Sequence, residues 1–308
     1  MSAFFETYLS TGLKEDVLDA IEVISPKDTP VYNGLNKIKA NGKRHEWLTI
    51  SIPSASAVGA NSYAEGDAFV YASGDAYTPT ETRLQNYTQI FHKTWKISET
   101  VEEVAKYGRG SSWAFRKTQA MLGWKTDVEV ALLDNSATSS GSAGVARTMV
   151  GLRTLDGLSA TANSSSTLAS PIDEGNLNVL LQLMFDQGVD PDRLVCSPFV
   201  KRQISGFAGS GAGRPIVINN GERTFADVLD IYESDFGRLT LIASRRLNIE
   251  SNVLAYRNDL NSIPILRPPT SRVTPNDGDF MTGAIVGELT FQYLNPNGLG
   301  RLRRVQSA

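Results

Sequence analysis

The stretch TETRLQNYTQIFHKTWKIS, residues 80–98, and the run SSWAFRKTQAMLGWKTDVEVALLDN, residues 111–135, decide how the rest of the chain is read. In the first, a period of two places Tyr87, Gln89, Phe91, Lys93, Trp95 and Ile97 on one face of a long strand. The β-favouring Thr88, Ile90 and Thr94 fall on the other. The link ETVEEVAKYG, residues 99–108, reads as a short helix with Thr100 and Glu103 spaced as a capping box. In the second run, Trp113/Ala114, Ala120/Met121, Trp124, Val128 and Ala131/Leu132 recur at steps of three and four, one buried stripe of a helix. Ser111 or Ser112 caps its start. Such a helix is about 36 Å long and spans a small domain.

Towards the N-terminus, Lys43 to Ile52 is a second strand, ended by Pro53. Between the two strands, residues 54–79 are rich in Ala, Ser, Gly and Tyr and poor in large aliphatics. A stretch of that kind does not bury enough apolar surface to order itself alone, and it is long for a connection inside a compact domain. The three pieces read as a long two-stranded excursion that needs a partner surface. Residues 1–40 read as an arm: one short helix carries Leu13, Val17, Leu18, Ile21 and Ile24, and Thr29-Pro30 opens a second.

Towards the C-terminus, polar loops at 136–146 and 159–170 are followed by a helix at Asn176–Gln187, stopped by Gly188. A short buried strand at 192–196 leads to Ser197-Pro198, which caps another helix. With the strands that follow, this predicts a compact α/β subdomain. AIVGELTFQYLN, residues 284–295, is a strand near the end, and Arg301, Arg303 and Arg304 close the chain without an acid among them.

The chain has 308 residues, 41% hydrophobic and 20% charged, with a net charge of −3, so it is neither a polycation nor an acidic tail. The single cysteine, Cys196, excludes an intramolecular disulfide and sits in an apolar run. No signal-peptide pattern and no apolar run long enough to span a bilayer is present, which predicts a soluble chain made in a reducing cytoplasm. His45 and His92 are the only histidines, too few for a histidine-rich metal site or a triad. Asp235-Phe236-Gly237 matches a kinase tripeptide by letters alone and reads as a turn between strands. The glycines at 206, 209, 211 and 213 fit no phosphate-loop spacing. The sequons at Asn86 and Asn163 carry no meaning without secretion. These residues predict no enzyme, no cofactor and no metal.

The order of arm, long loop, dominant helix, α/β subdomain and returning strand resembles the major capsid proteins of tailed bacteriophages, with their HK97-like fold. The resemblance reaches ISPKDTPVY (24–32), HEW (45–47), RLQNYTQIFHKT (83–94), ISETVEEVAKYGR (97–109) and EVALLDN (129–135). It continues through LVCSPFVKRQI (194–204), YESDFGRLTLIASRRL (232–247) and GAIVGELTFQYLNPNG (283–298), in the same order.

It implies an α+β fold with an N-terminal arm at 1–40, an extended β-hairpin E-loop at 41–96, and a peripheral domain at 97–171 around a spine helix at 111–135. An axial α/β domain would follow at 172–252, and return strands of the peripheral domain at 253–308. The implied role is a shell subunit that self-assembles into pentamers and hexamers of an icosahedral or prolate head around double-stranded DNA. Scaffolding, portal and decoration proteins are candidate partners, and with the sequence opening on the arm a separate scaffolding protein would be expected. DNA would be a non-specific neighbour, and no membrane is involved. The expected place is the virion capsid, assembled in the bacterial host cytoplasm. The expected inter-subunit contacts are Tyr63, Phe69, Tyr71, Tyr77, Tyr87, Phe91, Arg301, Arg303 and Arg304. A non-enzymatic phage tail or adhesin-type module is the alternative, for which internal repeats would be expected.

Overall fold

In the computed structural model the described residues are 28–51, 64–66, 79–104, 110–153, 164–168, 172, 174–207, 216–219, 222–225, 230–247, 253–275 and 278–304. The helix expected before Ser25, most of the loop at 54–79 and most of the polar stretch at 159–170 lie outside them. In chain order, the arm gives α1 (Pro30–Gly34) and β1 (Asn36–Lys39). The excursion gives β2 (Arg44–Ser51) and β3 (Thr80–Tyr87), and β4 (Gln89–Ser98), α2 (Glu99–Glu103) and α3 (Ser112–Asp134) follow. Next come β5 (Ser164–Leu168), α4 (Glu174–Asp186), β6 (Arg193–Cys196), α5 (Pro198–Ser205), β7 (Ile216–Asn219) and β8 (Glu222–Phe225). The chain ends with β9 (Ile231–Ser234), β10 (Gly237–Ala243), β11 (Val253–Tyr256), β12 (Asn261–Thr274), β13 (Phe280–Leu289), β14 (Gln292–Tyr293) and β15 (Leu299–Arg304).

The chain divides into two compact units: residues 1–27, 92–124 and 270–286 in one, and 28–91, 125–269 and 287–308 in the other. Helix α3 and strands β4, β12 and β13 each contribute residues to both.

The long strand pattern at 80–98 is two strands, not one. β3 pairs antiparallel with β2 over eight residues, from Arg44↔Tyr87 to Ser51↔Thr80. β4 belongs instead to the sheet ordered β1-β12-β13-β4. The break falls at Thr88, which is buried: its N–H donates to the Lys43 carbonyl (2.9 Å) and its hydroxyl to Glu288 (2.6 Å). Within β4 the expected alternation holds. Phe91, Trp95 and Ile97 are buried, and Ile90, His92, Thr94 and Lys96 are exposed.

Helix α3 keeps the expected stripe at Trp124, Val128, Ala131 and Leu132, while Ala114 faces outward. Its start is capped twice. Ser111 Oγ accepts the Ala114 N–H (3.1 Å), and the Glu102 carboxylate accepts the N–H groups of Ser112 (2.9 Å) and Trp113 (3.2 Å). The capping box expected at Thr100 is therefore absent: α2 starts at Glu99, and Glu102 serves the next helix. A carboxylate at that end complements the helix dipole.

The α/β subdomain forms in unit 2 around a six-stranded sheet ordered β5-β15-β11-β6-β10-β9. α4 ends at Gly188, whose φ of 81° is the left-handed turn that glycine adopts without strain. Ser197 caps α5 by accepting the Val200 N–H (3.3 Å), and Phe236 lies in the turn between β9 and β10, both as expected. Leu180 and Met184 of α4 and Val200 and Ile204 of α5 pack with Leu194 and Leu241 of the sheet. Contrary to the expectation for 253–308, β11 and β15 complete this sheet rather than joining the returning strands β12 and β13. The cause is visible in β11: all four residues of VLAY are buried, so the strand needs neighbours on both edges and cover on both faces.

Candidate assembly surfaces

The β2–β3 ribbon has two unlike faces. Residues directly opposite each other in an antiparallel pair share a face. Glu46, Leu48 and Ile50 thus lie with Gln85, Arg83 and Glu81, and Trp47 and Thr49 lie with Leu84 and Thr82. Trp47 is buried edge-on against Tyr293 (centroids 5.2 Å apart), and His45 hydrogen-bonds Gln292 (3.2 Å), so that face holds the ribbon to β14. On the other face Leu48 and Ile50 are 62% and 61% exposed. Arg44–Glu46 (2.5 Å) and Arg83–Glu46 (3.7 Å) are surface ion pairs, each worth at most about 1 kcal/mol. Covering what remains exposed of Leu48 and Ile50 would contribute about 1–2 kcal/mol for each side chain. Leu48 and Ile50 stand on that face among Glu46, Gln85, Arg83 and Glu81, and a two-stranded ribbon alone in water is marginal unless something covers it.

The base of the ribbon is fixed by two buried polar groups. Asn86 donates to the carbonyls of Val150 (3.0 Å) and Phe291 (2.7 Å) and accepts from Val150 N–H (3.0 Å), Tyr87 N–H (2.9 Å) and the Thr138 hydroxyl (3.1 Å). The sequon at Asn86 is therefore a structural knot, not a modification site. Glu288 accepts from Thr88 (2.6 Å), Arg147 (2.5 Å) and Arg267 (2.9 Å), which compensates a carboxylate that is almost wholly buried. Arg147 also donates to the Thr88 carbonyl (3.2 Å), so the Ser/Gly-rich loop braces the point where β3 becomes β4.

The arm is held by the spine helix. Thr29 makes no capping hydrogen bond to α1; the buried Glu129 carboxylate accepts the N–H groups of Val31 (3.1 Å) and Tyr32 (2.7 Å) instead. Burial pushes this carboxyl above its ordinary value, and the two N–H donors pull it partly back.

Of the contact residues read from the sequence, Tyr63, Phe69, Tyr71 and Tyr77 lie outside the described residues. Tyr87 is half-buried at the ribbon base. Phe91 is only 6% exposed within its own chain, because it faces inward from β4. Arg301 is 5% exposed, because β15 is an interior strand between β5 and β11. Neither side chain presents a surface to a neighbour. Arg303 and Arg304 lie in β15. Leu48 and Ile50 were not among the expected contact residues, although their alternation with Trp47 puts them on the face opposite the buried tryptophan. It also passed over Glu129 and Glu288, whose partners lie far away in sequence.

Among the described residues, no group of three or more His, Cys, Asp and Glu side chains converges on a metal-sized site. The Cys196 thiol is buried, and desolvation pushes it up to about 12, against a smaller opposing pull from Lys201. The chemistry on view is that of surfaces and braces.

Comparison with known proteins gives the family. The model of the SU10 major capsid protein family matches residues 2–306. The chain belongs to the SU10 major capsid protein family. This is a family of structural capsid proteins and not a class of enzymes. The major capsid protein of Escherichia phage Phieco32 is 32% identical over 133 residues, which is 43% of this chain and 36% of that protein's length. A solved structure from Mycobacterium phage Adephagia superposes with a TM-score of 0.66 at 12% identity, covering 100% of both chains. The phage G structure of gp27 major capsid proteins and gp26 decoration proteins gives a TM-score of 0.58 at 11% identity, covering 97% of this chain and 99% of that one. The fold is the HK97-like α+β fold of phage capsid proteins.

Proposed function

We propose that this SU10-family chain is the shell subunit of a tailed-phage head, closing as pentamers and hexamers into an icosahedral or prolate shell around packaged double-stranded DNA. The family match from residue 2 to residue 306 carries the reading. Closed rings need heterologous contacts, in which one patch of a subunit meets a different patch of the next. The exposed Leu48/Ile50 face of the β2–β3 ribbon is suited to be one such patch. Tyr63, Phe69, Tyr71 and Tyr77 in the connecting loop, with Tyr87 at its base, would extend the contact. Residues 1–40 act as the arm, 41–96 as the extended loop, 97–171 as the peripheral domain and 172–252 as the core of the axial domain; of 253–308, β11 and β15 go with the axial sheet. Scaffolding, portal and decoration proteins are the expected partners, the virion capsid is its place, and assembly occurs in the host cytoplasm. Many modest contacts over arm, ribbon and domain edges add up to a stable lattice.

The test is deletion of Ala55 to Thr78. The expected product is a folded subunit that forms no shells. Shells of normal appearance from the deleted chain, seen by negative-stain electron microscopy, would overturn the role given to the loop.

A further inference from the structure

At the end of α4 and in the β9–β10 turn, two phenylalanines stand side by side at the surface of unit 2. The Phe185 and Phe236 ring centroids are 5.6 Å apart. Phe236 packs on the core, but Phe185 follows the fully buried Met184, one step off the buried stripe of the helix, and is 51% exposed. An exposed acid adjoins each ring in sequence: Asp186 follows Phe185, and Asp235 precedes Phe236. Neither carboxylate is in an ion pair among the described residues, and Arg238, two positions past Phe236, is turned to Glu233 (3.7 Å).

Helix α5 presents a second patch, of opposite charge. Val200 and Ile204 bury one side of this helix, while Arg202 is exposed and Phe199 half-buried on the other. These two are three positions apart, neighbours on a helix surface, and the Arg202 guanidinium lies 5.4 Å from the Phe199 ring centroid. That stacking positions the planar group and keeps its N–H donors for a carboxylate. Lys201 beside it is already paired with Asp230 (3.0 Å), whereas Arg202 is in no ion pair among the described residues.

Two copies meeting through like patches would repel, since a two-fold pair on Phe185 sets Asp186 and Asp235 against their own counterparts. Unlike patches attract, each offering an aromatic surface and one sign of charge. A contact between unlike patches is head-to-tail, the kind that closes into rings. We propose that the Phe185–Phe236 patch of one copy receives the Phe199–Arg202 patch of the next, with Arg202 meeting the Asp186 and Asp235 carboxylates. The inference rests on the shell-subunit reading and adds to it a ring contact separate from the β2–β3 ribbon.

The experiment compares the full-length chain with two charge reversals by mass photometry: Asp186→Lys with Asp235→Lys in one chain, and Arg202→Glu in another. All three side chains are exposed, so the urea midpoints should stay at the parent value. Each variant alone should need at least about tenfold more protein to form rings, because every contact then opposes like charges. An equimolar mixture should regain them. Only strict alternation of the two variants matches every contact, so rings of six copies return and rings of five do not. Rings at the parent concentration in either variant alone would assign the patches to something other than a second copy, overturning the proposal and leaving the shell reading in place. A mixture that regains no rings, or regains five-copy rings as readily as six, would overturn it equally. A parent chain that forms no rings at any concentration fails the shell reading itself, and this contact with it.

Discussion

Replacing Asn86 with alanine tests whether the ribbon base is held as described. The side chain is fully buried, and three of its hydrogen bonds, to the Val150 carbonyl, the Val150 N–H and the Phe291 carbonyl, are wholly inside the protein. A net hydrogen bond contributes about 1 kcal/mol, and each buried group left without a partner costs about 1–3 kcal/mol. Asn86→Ala should therefore cost roughly 3–5 kcal/mol, a large share of the about 5–15 kcal/mol that a domain has. Asn86→Asp keeps the acceptor used by Val150 N–H but sets a second carboxylate oxygen against two carbonyl oxygens. On protonation that oxygen can donate to one of them, so this variant should regain stability as pH falls, while Asn86→Ala should not. Urea unfolding of the unassembled subunit, followed by far-UV circular dichroism across a pH series, measures both. A loss below about 1 kcal/mol for the alanine variant, or parallel pH profiles for the two, would refute the reasoning.

Three other outcomes are expected. Because burial raises the Glu129 carboxyl, the folded chain holds that proton at a higher pH than the unfolded chain does, so stability from this group is full below the ordinary carboxylate value and is lost as pH rises through the raised one; Glu129→Gln should flatten that part of the stability–pH curve. Gly283→Ala would place a Cβ 2.4 Å from Trp95 and 2.7 Å from Trp113, so it should cost about 1–3 kcal/mol by overpacking and alter tryptophan emission, read together in one fluorescence-monitored unfolding series. Leu48→Thr with Ile50→Thr should leave subunit stability within about 0.5 kcal/mol, since both side chains face out, yet abolish shells in the electron microscope.

Local chemistry made much of this fold legible. The stripe of α3, the Ser197 cap and the glycine stop at 188 are decided by residues within a few positions of one another, and each stands where periodicity and capping place it. What was not legible is decided at long range. Between Thr80 and Ser98 only Asn86 is of a type that strands strongly disfavour, and it does not say where the ladder ends; Thr88 ends one ladder because Glu288 waits 200 positions away. Glu129 reads as an unremarkable polar position in a helix until α1 docks its N–H groups on it, 97 and 98 positions upstream. Glu102, beside the expected capping-box partner Glu103, serves the next helix instead. Arg301 looks like a free basic tail because a sequence does not reveal that its strand lies between two others. Phe91 drew attention as an aromatic residue and is core, whereas Leu48 and Ile50, which did not, are exposed.

The central claim is that the chain assembles with itself into closed rings and shells. Mass photometry of the purified full-length chain over a range of concentration and salt, with negative-stain imaging of the same samples, measures this most directly. Masses of five and six copies together with closed shells are the predicted result. A monomer at every concentration and salt, with no ring or shell in the images, would contradict it.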